Sequence, residues 1–147
     1  MKMGELRWPV QNFALWFESH RELYQDGLMD VTLSGDFNPW VELFAHAVEL
    51  QAREGLIKIQ ELLALCDQMV TDLRAHGFRG SVIQIAEILI GYPVIDVRTA
   101  STLIQKTFEA TNVSICKLVE HGMLQEITGR SQGRLFGCYP VALAIRR

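Results

Sequence analysis

In "SVIQIAEILIGYPVIDVRTASTLIQKTFEATNVSICKLVEHGMLQEITGRSQGRLFGCY", residues 81–139, helical patterns alternate with turn signals and short strands. Ser81 can cap a helix running through Ile85, Ala86, Leu89 and Ile90. "GYP" stops that helix, because proline cannot continue it and biases Tyr92 away from helical angles. "VIDV" then leaves room for only a small strand. The pattern predicts a helix over 98–105 and, after a turn, another over 108–121 ended by Gly122. "MLQEITGRSQGRLFGCY" reads as two short strands, 124–128 and 134–138, joined by a turn rich in Gly, Ser and Gln. Helix, short strand, helix, helix, β-hairpin is the order of a winged helix-turn-helix. Residues 107–121 take the recognition-helix position and residues 124–138 the wing.

Upstream, a helical pattern spans 14–33, with Trp16, Phe17, Leu23, Tyr24 and Leu28 forming an apolar stripe that needs a partner surface. "SGDFNPW" follows. Asp36 and Asn38 can accept from the free amides of a first turn, and Pro39 suits the first helical position because its missing N–H needs no partner. The helix begun there continues through Trp40, Leu43, Phe44, Ala47, Val48 and Leu50. Ile59, Leu62, Cys66, Met69 and Leu73 extend it in alternating steps of three and four, the spacing of a helix packed along its length on another. Gly55 marks a weak point between the two stripes, and His76 and Gly77 supply a last turn and a C-cap. The expected fold is mainly α with a small β wing. A helical hairpin, residues 1–77, precedes a winged helix-turn-helix domain, residues 80–147.

The chain has 147 residues, 49% hydrophobic and 21% charged. That length buries roughly two thirds of the unfolded surface, and the composition is that of an ordered globular protein. The longest apolar run, 82–95, is interrupted by Gln84, Glu87, Gly91 and Pro93 and falls short of the roughly 20 residues a spanning helix needs. "MKMGELRWPV" has neither the apolar core nor the cleavage site of a signal peptide. A cytoplasmic location without membrane contact is therefore expected. Cys66, Cys116 and Cys138 are widely spaced and odd in number, which suits reduced thiols better than a disulfide framework. His20, His46, His76 and His121 lack ligand-like spacing to one another or to a cysteine, so the sequence predicts no metal and no cofactor. Charge is uneven: residues 1–79 carry seven Lys/Arg against twelve Asp/Glu, net −5, and residues 80–147 carry seven against five, net +2.

Three stretches resemble a known family. "LRWPVQNFALWFESHRELYQDGLMDV", "SGDFNPWVELF" and "EHGMLQEITGRSQGRLF" are similar to the segments that follow the catalytic core in Fic-family proteins, bacterial relatives of protein AMP-transferases, in the subgroup with a winged-helix tail. The resemblance covers nearly the whole chain and is most specific at "GDFNPW" and at "EHGML…TGR…RLF". It implies that the helix after Pro39 bridges a catalytic helical bundle to a winged-helix tail. The family's active site combines a His-Pro-Phe motif, whose histidine acts as base, with a Gly-Asn-Gly-Arg loop whose amides hold nucleotide phosphates. No such segment occurs here, so the resemblance implies a tail with no catalytic residues and no AMP-transferase activity.

For DNA contact the candidates are Lys106, Thr107, Asn112, Lys117, Arg130 and Arg134. Thr107, Glu109, Asn112 and Lys117 lie toward the exposed side of the recognition helix, where Asn112 can pair with adenine in the major groove. Val113 and Cys116 occupy positions where tails of the family often carry arginine or lysine. A helix with a single lysine is electrostatically poor, which leaves a protein-facing winged helix equally open. Arg130 and Arg134 flank "SQG", and a cationic hairpin tip suits phosphate or the minor groove. Arg98, Lys106, Arg146 and Arg147 add to the field, while the same arginines can serve only to keep a hairpin edge soluble. Trp8, Trp16, Trp40, Phe13, Phe17, Phe37 and Phe44 have the spacing of core packing. Glu18 and Glu22 fit a solvated helix face. Partners under consideration are DNA, a second copy of the chain docked on the first helices, and a Fic catalytic domain or its target protein.

Overall fold

The computed structural model describes residues 13–146. Trp8, Arg147 and the side chain of Phe13 lie outside the described residues. The chain divides into two compact units between Ile59 and Gln60.

The first unit contains α1 (Phe13–Ser19), α2 (Arg21–Ser34) and the leading part of α3 (Asn38–Ala75). The single helix expected over 14–33 is instead kinked at His20, where φ is −118° and ψ 39°. Two side chains reach back to one carbonyl there. Ser19 Oγ donates to Trp16 O at 2.9 Å, and His20 Nδ1 lies 2.9 Å from the same oxygen, its ring stacked on Trp16 at 4.2 Å. Side chains that bond the preceding turn compete with the backbone and bend a helix. Gly35 ends α2 in the left-handed conformation, φ 72°, donating its N–H to Val31 O. Asp36 Oδ1 then accepts from both Asn38 N and Asn38 Nδ2, at 3.0 and 2.8 Å. Asn38 is thus a donor rather than a cap, and Pro39 takes the second helical position. α1 and α2 both meet α3 through an aromatic cluster. Phe17 stacks with Trp40 and Phe44 at 6.5 and 5.9 Å, and Tyr24 meets Trp40 edge-on at 5.1 Å.

The weak point expected at Gly55 does not interrupt α3, which is continuous from Asn38 to Ala75. Strong helix formers flank the glycine, and Arg53 pairs with Glu49 one turn back at 2.8 Å. A single glycine costs about 1 kcal/mol, which such neighbours offset.

The second unit holds the rest of α3, α4 (Ser81–Ile88), β1 (Val94–Asp96), α5 (Val97–Ile104), α6 (Phe108–Glu120), β2 (Gln125–Glu126), β3 (Leu135–Gly137) and α7 (Tyr139–Arg146). Its three strands form one antiparallel sheet in the order β1-β3-β2, with Ile95 opposite Phe136 and Phe136 opposite Glu126. The described chain is therefore mainly helical with a small three-stranded sheet, in winged-helix order. Leu73, Ile85, Leu89, Ile95, Ile115, Leu118, Phe136 and Val141 fill the core, each no more than 2% exposed. The strands are shorter than expected from sequence: Ile127 N still donates to Leu135 O at 3.0 Å, and residues 128–134 form the wing's turn.

Helix starts follow local capping. Asp96 closes β1 and caps α5, its Oδ1 accepting from Thr99 N at 2.8 Å, so α5 begins directly off the strand. Thr107 Oγ1 caps α6 by accepting from Ala110 N at 3.3 Å. Ser81 does not cap α4 as expected. It is the first helical residue, preceded by Gly80 at φ 63°, and no side chain caps that end. Among the described residues no helix is long and apolar enough to cross a membrane.

Candidate functional site

The winged-helix surface is organised by one contact between α6 and the wing. Arg134 Nη2 donates to Asn112 Oδ1 at 3.2 Å, and the same guanidinium lies 5.4 Å above the ring of buried Phe136. Both partners are half-buried. Asn112 and Arg134, expected to reach separately for a base and a phosphate, are thus joined to each other. Thr107 spends its hydroxyl on the α6 cap. Lys117 and Arg130 are exposed, Arg130 standing in the turn between Gly129 and Gly133, which have φ of 62° and 64°.

The wing's turn is held by Glu126. Its carboxylate accepts from Thr128 N at 2.8 Å, from Gly129 N at 3.0 Å and from the Thr128 hydroxyl. Leu135 N in turn donates to Thr128 Oγ1 at 3.3 Å. The Thr128 hydroxyl, followed by the backbone N–H of Thr128, holds the Glu126 carboxyl below its usual range, because these donors favour the charged form.

The solvent face of α6 has a different character. Phe108 is 51% exposed and Val113 54%, and their exposed neighbours are Glu109, Lys117 and Glu120. One cation against two acids and two large apolar side chains is not a surface that attracts phosphate. The wing adds exposed Ile127.

Lys106 lies on the wall of an open cleft of about 610 Å³ beside the start of α4, shared with Arg74, Arg79, Gln84 and Glu87. Three cations, Arg74, Arg79 and Lys106, thus line this cleft with the single carboxylate of Glu87. Cys138 is fully buried and burial pushes its thiol up; Cys66 is raised by burial and further by Glu87 and Asp67. Neither thiol has the depressed pKa of a nucleophile.

Sequence spacing missed one cluster. Asp72 and His76 stand one turn apart at the end of α3, and His121, the C-cap of α6, brings Nε2 to 2.8 Å from Asp72 Oδ2. Asp72 and His121 are 49 positions apart, so only the fold reveals the pair. The one legible signal was the four-residue step from Asp72 to His76.

No protein-family model and no curated protein matches the chain.

Proposed function

We propose that this chain is the non-catalytic regulatory module of a Fic-like protein: its first unit packs on a catalytic helical bundle, and its winged helix contacts a protein partner through the exposed face of α6. The observation that carries the reading is α2. It buries none of its residues and exposes Leu23 (52%), Leu28 (41%), Met29 (60%) and Leu33 (78%). A helix with that much uncovered apolar surface is suited to a larger assembly, since covering one such side chain contributes about 1.5–3 kcal/mol. The "GDFNPW" turn that resembles Fic tails directly follows it. The chain itself transfers no AMP, having no His-Pro-Phe segment and no phosphate-holding glycine loop.

The test is a titration of the chain into a Fic catalytic core that carries the His-Pro-Phe motif, followed by light scattering. A one-to-one complex that the paired change Met29→Glu and Leu33→Glu abolishes supports the reading. No complex with wild type at any concentration overturns it. Because both side chains are exposed, the variant keeps its fold.

A second reading, DNA contact through the wing, has the exposed Arg130 and Lys117 in its favour. The two exposed cations of α6 and the wing sustain only weak, non-specific binding, so this reading ranks behind protein contact.

A further inference from the structure

Asp72, His76 and His121 take part in neither the wing nor the α6 face, yet they converge within the second unit. One donor atom from each lies within 4.8 Å of the others. Two different elements supply them: Asp72 and His76 come from the end of α3 and the residue after it, and His121 from the end of α6. The i, i+4 step places Asp72 and His76 on one helical face, the spacing by which helices offer two ligands to one ion.

The surroundings orient these groups. His76 Nδ1 bonds the main-chain carbonyl of Asp72 at 2.8 Å. A carbonyl acceptor fixes the proton on Nδ1 and leaves the Nε2 lone pair free, the outer-shell arrangement usual for metal-binding histidines. The rings of His76 and His121 meet edge-on at 4.8 Å, and Phe78 walls His121 at 5.3 Å. The His121 side chain is 18% exposed, against 56% for His76 and 53% for Asp72. One ligand is therefore anchored while two remain open to solvent.

We propose that Asp72, His76 and His121 form a divalent transition-metal site, with Zn²⁺ as its occupant. Two imidazoles and one carboxylate favour such an ion over Mg²⁺ or Ca²⁺, which prefer all-oxygen shells. Three protein ligands leave the fourth tetrahedral position to water. Zinc–ligand distances of about 2.0–2.1 Å put donors roughly 3.3 Å apart, so the set closes by about 1.5 Å at most. Rotation of the exposed His76 and Asp72 side chains supplies that movement. In the pair with Asp72 Oδ2, His121 Nε2 holds the proton. On binding it gives that proton to solvent, the ring takes one up at Nδ1, and the Nε2 lone pair goes to the metal. The bound ion ties the end of α3 to the end of α6 and stabilises the folded unit by mass action.

The test uses the untagged full chain, stripped with EDTA and exchanged into chelator-free buffer, titrated with ZnCl₂ by calorimetry. One ion per chain is expected, with affinity falling at least about tenfold in His121→Gln and again in His76→Ala. Unchanged affinity in the doubly substituted protein, or no saturable heat with wild type, overturns the proposal. Should a variant fail to fold, Co²⁺ on wild type decides by NMR. Selective broadening of the His76 and His121 imidazole signals supports the site, and broadening centred on His20 or His46 instead refutes it.

Discussion

Arg134 reaches across 3.2 Å to the side-chain oxygen of Asn112, so the wing is tied to the middle of α6 by a single charged donor. The guanidinium's second contact, over buried Phe136, fastens it to the centre of β3. Asn112→Ala and Arg134→Ala should each destabilise the protein by about 0.5–1.5 kcal/mol, Arg134→Ala by the larger amount because it also loses the ring contact. Their effects should not add. A double-mutant cycle by urea denaturation is expected to give a coupling of about 0.5–1 kcal/mol, and strict additivity would mean that the bond is not formed in solution.

The hydrogen bonds at Glu126 make the wing acid-sensitive. Because the folded carboxyl titrates below its ordinary value, about 4.3, it contributes stability that is fully present above that value. The contribution is lost as pH falls through the lower, folded value. Hydrogen exchange at the Thr128 and Gly129 amides should therefore show protection that declines in the acid range below about pH 4.3. Glu126→Gln should remove that dependence. Equal protection at acidic and neutral pH in wild type would contradict this account.

Gly27 is a packing requirement in the middle of α2. A Cβ there would stand 3.0 Å from Trp40 Cε3 and 3.4 Å from Leu43 Cδ2. Alanine gains about 1 kcal/mol of helix propensity and loses a similar amount by crowding the indole, so Gly27→Ala should be close to neutral. Gly27→Leu has no such balance. It should lower stability by about 1–3 kcal/mol and alter tryptophan fluorescence, and a fully stable Gly27→Leu protein would show that α2 does not pack on Trp40.

Much of the winged helix was legible because its punctuation is local. Thr107 and Gly122 bracket α6, "GYP" ends the preceding helical turn, and the glycine-rich turn sets off the hairpin. α7 lies beyond the elements expected from sequence; Pro140 stands in its first turn, where proline is tolerated. The kink at His20 depends on side chains returning to Trp16 O, a choice that hydrophobic spacing does not encode. The site was less legible than the fold. Asn112 and Arg134 are separated by 22 positions and Asp72 and His121 by 49, and neither pair carries a motif. Residue type alone made Asn112 a base reader and Arg134 a phosphate contact, whereas the fold joins them to each other.

The uncovered face of the first unit should also act in the isolated chain. Leu28, Met29, Leu33, Phe37 and Val41 are all more than 40% exposed. Without a partner, they should drive a concentration-dependent dimer or larger species. Light scattering is expected to show this for wild type and a monomer for the paired Met29→Glu, Leu33→Glu change. A strictly monomeric wild type at high concentration would argue against an apolar docking face.

Fluorescence anisotropy with a promoter-region duplex and a scrambled duplex decides between the proposed protein contact at the exposed face of α6 and a DNA contact there. With Lys117 and Arg130 the exposed cations of α6 and the wing, binding should be weak, equal for both duplexes and confined to low salt. Its log-log salt slope should be roughly −2 to −3, flattened by about one unit in Arg130→Ala. Asn112→Ala should leave any preference unchanged, since that side chain is engaged by Arg134. Tight binding to the promoter duplex at physiological salt, with its preference relaxed by Asn112→Ala, would contradict the account and assign α6 to the major groove.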